Sequence, residues 1–372
     1  MRFTIPLLLL ALTAAPAVAD PPIQLADSVL DLQQADGLGL KTIEGTQTLL
    51  YKATEKTHKF CHHANLVVFQ QRLFMIWSNG LVDEDSPGQR ILMSWSADGE
   101  TWKPPLWLTG EKNEICVAAG FHVYDDTLVA YFTVTGGTNF HPETALYAIH
   151  SRDGVHWSDR QRITSGFYIE GPRPLANGRL LLAGEYVDPA RTERRMRILT
   201  SDDPSGLGSW KEVLITPPDL MDFGYTEPGL FLTDKGKQAT LLFRNYSGML
   251  YASTSRDNGH TWSIPEKTNY PDSTARIAAG NLPSGGAYII NNASATQFDR
   301  RQLVIGLSRD GFLFDRAFLV RSEPTSMRFE GKHKLDGWQY PHAIAWKRSF
   351  YVAYTINKED VGITRIPLRR LR

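Results

Sequence analysis

The chain has 372 residues, and its 40 Lys and Arg balance 40 Asp and Glu, so the formal net charge is zero. It is 42% hydrophobic and 11% aromatic, enough for a large core, and no shift in composition divides it. The charge balance leaves no electrostatic footprint for nucleic acid, and no stretch is apolar for long enough to span a bilayer, so neither partner is expected.

Residues 1–19 read as a secretory signal peptide. Arg2 is the positive start, Ile5 to Leu12 a short apolar segment, and Ala17-Val18-Ala19 the cleavage site. The mature chain, 20–372, is expected to be one exported domain, periplasmic or extracellular, and monomeric. Its two cysteines, Cys61 and Cys116, either pair in that compartment or stay buried thiols. Two cysteines do not make a zinc site, no metal-ligand cluster occurs elsewhere, and no cofactor motif is present, so neither a metal nor a cofactor is expected.

After a lead-in whose Thr48 to Ala53 reads as a strand, six similar units follow. The first has strands at His62–Phe69, Arg72–Asn79 and Arg90–Trp95. It ends in the turn Ser96-Ala97-Asp98-Gly99-Glu100-Thr101-Trp102. The second has Gly120–Tyr124, Leu128–Val134 and Leu146–His150, then Ser151-Arg152-Asp153-Gly154-Val155-His156-Trp157. The third starts at Glu170-Gly171-Pro172-Arg173, continues through 179–186 and 195–200, and ends in a degraded turn, Ser201 to Trp210. The fourth starts at Thr226-Glu227-Pro228, continues through Ala239–Asn245 and Gly248–Thr254, and carries the turn Ser255-Arg256-Asp257-Asn258-Gly259-His260-Thr261-Trp262. The fifth starts at Arg276 to Asn281, continues through Ala287–Asn292 and Gln302–Leu307, and carries Ser308-Arg309-Asp310-Gly311. The sixth starts at Tyr340-Pro341-His342 and continues through Phe350–Thr355 and Val361–Ile366. It has no such turn, and the lead-in strand is expected to complete it.

The recurring turn has a physical logic. Asp and Asn hydrogen-bond the backbone beyond them, Gly supplies a positive φ, and Trp plugs the turn from behind. A near-constant spacing of such turns, each after an apolar strand, implies an all-β repeat architecture: a β-propeller of six blades, with seven the alternative. The turns resemble the Asp-box, or BNR, repeat of the sialidase superfamily, whose form S-x-D-x-G-x-T-W is met in full at Ser255 to Trp262. That resemblance implies that Asp98, Asp153, Asp257 and Asp310 are structural.

In a propeller the inner-strand starts converge on one face, and here they are polar: His62, His63, Glu170, Arg173, Glu227, Arg276, Asn281, Tyr340 and His342. The resemblance implies Tyr340 as nucleophile, Glu227 as the carboxylate that activates it, and Asp85 in the acidic loop Asp83 to Gly88 as acid and base. It implies Arg244 and Arg276 as holders of a substrate carboxylate, a task that suits a guanidinium. Arg173, Glu170 and His342 are further candidate substrate contacts. The first-blade arginine of the family is replaced by histidine, in Phe60-Cys61-His62-His63, and strand alternation lets only one of His62 and His63 face the channel.

These residues imply a sialidase-like exo-glycosidase that removes a terminal sugar from an acidic glycan. Two alternatives stay open. The His pair also resembles the His-bearing propellers among rhamnosyl-glucuronate-cleaving enzymes and polysaccharide lyases. There, His62 or His63 would take a proton, Tyr340 would serve the leaving oxygen and an arginine would neutralise the carboxylate. The other alternative is a glycan-binding propeller without catalysis.

Overall fold

The computed structural model describes residues 21–34, 36–111, 113–136, 141–185, 196–215 and 226–372; the signal-peptide reading lies outside them. Six antiparallel sheets are arranged as the blades of a propeller. Each expected three-strand unit is present. The first blade, for example, has Phe60–Phe69, Arg72–Gly80 and Arg90–Ser96. The first five also have a fourth, outer strand that the sequence reading passed over, such as Leu106–Thr109 in the first blade and Glu266–Pro271 in the fourth. These outer strands mix exposed and half-buried positions and lack the apolar run that marks the inner ones.

The sixth blade closes the ring as expected. Thr46–Tyr51 pairs antiparallel with Asp360–Pro367 as that blade's outer strand, so the two parts are far apart in sequence and joined in one sheet. A shorter lead-in strand, Gln24–Leu25, adds in parallel to the outer edge of the fifth blade. Among the described residues, no helix is long and apolar enough to cross a membrane.

Apolar side chains pack between neighbouring blades rather than within them. Leu66, Met75 and Trp77 of the first blade meet Tyr351, Ala353 and Ile363 of the sixth. Phe74 and Ile76 on the opposite face meet Ala130 and Phe132 of the second. This alternation follows from the two-residue period of a strand whose two faces are both covered.

The Asp-box turns add to these joints. In the first, Asp98 Oδ1 accepts from the Ser96 hydroxyl at 2.9 Å and from the backbone of Glu100 and Thr101 at 2.8 Å, while Gly99 N donates to Ser96 Oγ at 2.8 Å. Asp153, Asp257 and Asp310 repeat the pattern. The box glycine has a positive φ and is also seated on the preceding blade. A Cβ on Gly99 would lie 2.1 Å from the Tyr351 hydroxyl of the sixth blade, and one on Gly154 2.6 Å from the Phe74 ring of the first.

Cys61 and Cys116 are buried thiols that do not pair. Both asparagines of the sequence's two glycosylation sequons are buried and committed to backbone carbonyls, Asn245 to Phe243 and Met249, Asn292 to Gln302 and Trp338.

Candidate active site

A cavity of about 570 Å³ opens on the face where the inner strands begin. Its walls include His63, Glu84, Asp85, Glu185, Glu227, Arg244, Arg300, Lys332, Tyr340 and Lys358. Two features of the backbone aim side chains into it. The first is a β-bulge in the inner strand. In the first blade His62 pairs with Ser78 and Asn65 with Ile76, so His63 and Ala64 together oppose Trp77. In the sixth, Tyr340 and Pro341 together oppose Tyr354. A bulge re-aims a side chain, and Pro341, which has no N–H, suits a position outside the ladder.

The second feature is left-handed backbone. His63, Asp85, Glu227, Thr274, Phe298, His333 and Tyr340 line the cavity with φ between 35° and 62°. None is glycine, and such conformations cluster where the surroundings hold a side chain in a needed place. The bulge also resolves the histidine pair. His63 lines the cavity, while His62 lies behind it with its ring against Tyr340, centroids 3.6 Å apart.

Arg244 ties the floor together. Its Nη1 lies 2.8 Å from Glu227 Oε2, donates to the Tyr340 hydroxyl at 3.0 Å, and reaches the Thr274 carbonyl at 3.4 Å. Arg300 Nη2 donates to the same carbonyl at 2.7 Å, while its Nε and Nη1 are buried and have no hydrogen-bond partner among the described residues. Arg244, Arg300 and Lys358 flank the Tyr340 ring at 5.9, 5.8 and 5.1 Å. His63 Nε2 stands 3.8 Å from Glu227 Oε1, beyond hydrogen-bond distance.

The titratable groups are pushed apart. Burial acts to raise the Glu227 carboxyl, but Arg244 and then His63 outweigh it and hold it below the usual range. Burial, reinforced by the neighbouring Glu84 carboxylate, pushes Asp85 up to about 7. Glu185, which accepts from the Thr226 hydroxyl at 3.1 Å, is raised by burial and by Glu227. Burial pushes His63 down to about 4 against the pull of Glu227, so its ring is neutral at pH 7. One ionised and one protonated carboxyl in a single cavity is the pairing that general base and general acid require.

The structure brings together Tyr340, Glu227, Asp85, His63 and Arg244. It does not bring Arg276, Arg173, Glu170 or His342 to the cavity wall. These four lie deeper along the channel: Arg276 is two residues beyond Thr274, and His342 two beyond Tyr340. Arg276 is fully buried, and its Nη2 donates to Asn65 Oδ1 at 3.1 Å and to Ile169 O and Glu170 Oε1 at 3.2 Å. Arg173 donates to the Ala279 carbonyl at 3.2 Å, and His342 Nδ1 accepts from Leu66 N at 3.2 Å. As placed, they form a polar layer beneath the floor.

Arg300, Glu185, Glu84 and Lys358 were not among the candidates, which came from inner-strand starts, the loop around Asp85 and Arg244. They share a different address. Each ends a blade's second strand or follows it: Glu185 closes Leu180–Glu185, and Lys358 follows Ser349–Ile356. Arg244, directly after Gln238–Phe243, was the signal that could have found the others.

A family model described as a BNR repeat-like domain matches residues 71–352. Among solved structures, one described as a sialidase is 18% identical, covered over 93% of this chain and 35% of its own, with a TM-score of 0.68. This chain thus spans about a third of that protein's length. A protein of unknown function from Dyadobacter fermentans is 15% identical over 88% of this chain and 98% of its own, with a TM-score of 0.69. The Trypanosoma rangeli sialidase is 12% identical over 88% of this chain and 60% of its own, with a TM-score of 0.67. No curated protein sequence matches significantly. At these identities the neighbours speak to the fold, a β-propeller like that of the sialidases, and the repeat model spanning most of the sequence agrees with the turns read from it: the chain belongs to the BNR repeat-like domain family.

Proposed function

We propose that this protein is an exported, sialidase-like exo-glycosidase that removes a terminal sugar from an acidic glycan. The observation that carries the reading is the meeting of Tyr340 and Glu227 on one nitrogen of Arg244, at the floor of a cavity that also holds Asp85 and the half-satisfied guanidinium of Arg300. A volume of about 570 Å³ suits one or two sugar rings and favours an end of a chain over its middle. Export rests on the N-terminal segment alone.

In this reading Arg300 and Arg244 hold the substrate carboxylate. The Tyr340 oxygen attacks the anomeric carbon as Glu227 takes the phenol proton. The glycosidic C–O bond breaks, and Asp85 gives its proton to the departing oxygen. Water then attacks the sugar–tyrosine bond, its proton returns to Asp85, and the phenol regains its own from Glu227. A phenol is a poor nucleophile when neutral, so an ionised carboxylate and three flanking cations serve a purpose beside it.

One observation favours a second reading, elimination at a uronate. Among the described residues neither ring nitrogen of His63 has a partner within hydrogen-bond distance, and the neutral ring faces the cavity. It would take the proton at C5, the bond from C4 to the leaving oxygen would break, and a C4–C5 double bond would form. Incubation of the mature protein with glycans ending in sialate or uronate separates the cases. Sugar release without new ultraviolet absorbance supports hydrolysis. Release with it assigns a lyase, and neither signal on a broad panel leaves a binding propeller.

A further inference from the structure

At one side of the cavity Glu84, Lys358 and His62 meet, and the proposed chemistry gives Glu84 and His62 no part. Glu84 Oε2 is 2.7 Å from Lys358 Nζ, and Glu84 Oε1 is 2.9 Å from His62 Nε2, the latter off the line of a good hydrogen bond. All three come from different stretches of chain. Glu84 is on the acidic loop of the first blade, His62 is beside the bulge of that blade's inner strand, and Lys358 follows the second strand of the sixth. Lys358 is further fixed because its carbonyl accepts from Cys61 N at 2.7 Å.

We infer that Glu84, clamped between His62 and Lys358, is a positioning residue that locks the Asp85 loop to the Tyr340 floor and reserves Asp85 for proton donation. The inference rests on the hydrolase reading for what Asp85 does, though not for the clamp itself. Three contacts in the structure favour it. The His62 ring bears on Tyr340 at 3.6 Å, so Glu84 is mechanically linked to the nucleophile through one side chain. The loop is pinned from two other sides: Lys332 N donates to Asp83 Oδ1 at 2.7 Å, and Asp85 N donates to Gln89 Oε1 at 3.1 Å. Asp85 itself is held in left-handed backbone, φ 50°, which a slack loop would relax.

The electrostatics point the same way. Lys358, with His62, holds Glu84 ionised against its burial. A fixed negative charge on the adjacent residue then adds to burial in keeping the proton on Asp85. The other charges facing Asp85 are Lys358, which opposes this, and Glu227 across the cavity, which adds to it. The pair thus divides the work: Glu84 stays charged so that its neighbour does not.

The test is Glu84→Gln in the full mature chain, which keeps the shape and removes the charge. The expected result is a kcat lower by about 10- to 100-fold, a KM within about threefold, and an alkaline limb of the pH profile moved down by about one pH unit. A kcat and limb equal to wild type overturn the inference. If the unaltered protein turns over nothing, the hydrolase reading fails separately. The clamp is then read by carboxyl carbon NMR, with Asp85→Asn assigning the signal. An Asp85 midpoint lowered in Glu84→Gln supports the inference, and an unmoved midpoint overturns it. Should that variant not fold, amide exchange in Lys358→Met decides: residues 83–88 exchange at least about tenfold faster if the clamp holds them, and at the wild-type rate if it does not.

Discussion

The Asp-box turns and the cavity both set carboxyl side chains in stretches that contain left-handed backbone, and use them in opposite ways. In the boxes glycine takes the positive φ, and each aspartate is surrounded by donors. Asp98 is held well below the usual carboxylate range by the N–H groups of Glu100 and Thr101. In the cavity, side-chain-bearing residues take the positive φ; burial and a neighbouring carboxylate raise Asp85 and Glu185, while Arg244 keeps Glu227 from rising. A satisfied carboxylate at relaxed backbone is a rivet. An underserved one at strained backbone is a reagent.

Four measurements break or sharpen that contrast. Tyr340→Phe, which removes one oxygen from the floor, is expected to lower kcat by about a thousandfold or more without altering the melting transition; activity near wild type would remove Tyr340 from the chemistry. Arg300→Gln comes next. It should raise KM for a carboxylate-bearing substrate by about 10- to 100-fold, with a smaller effect on a neutral analogue, and equal effects on both would deny it a role in holding the acid. The pH dependence follows. Because the folded-state affinity of Asp85 for its proton is raised, its acid form persists through neutrality and is lost as pH rises through about 7, so the rate should fall about tenfold per pH unit above that. Asp85→Asn should abolish that limb along with most of the rate.

The smallest expected effect is on the other side of the comparison. Asp257→Ala removes acceptors for the Ser255 hydroxyl, the Thr261 N–H and the Thr261 hydroxyl. It should cost about 2 kcal/mol in denaturant unfolding and leave kcat within about twofold. The Asp257 carboxyl is depressed in the fold. Its contribution is therefore complete above the ordinary carboxylate range and fades as pH falls, the reverse of the Asp85 case. A box variant that lost activity at unchanged stability would undo the division between rivet and reagent.

The fold was legible because its signals are local. A Ser-x-Asp turn, a Gly and an aromatic plug repeat at a spacing set by three strands, and nothing distant is needed to recognise them. The site was half legible for the same reason. Tyr340, Glu227 and His63 stand at strand starts, where topology alone forces convergence. Arg300 and Lys358 stand in loops of no distinctive pattern, and only the closing of the ring brings them to Tyr340. Arg276 shows the converse error. Its inner-strand address suggested the cavity, but Thr274 is the residue of that segment that lines it, and Arg276, two residues on, lies against Glu170 and Asn65.

The joint in the sixth blade has a consequence in time. Thr46 pairs with Arg365, so this strand finds its partner only after the five blades between them have been made. Until then both edges wait unpaired, and the slow, long-range step comes last. A ring that cannot shut early stays open until its last blade is in place.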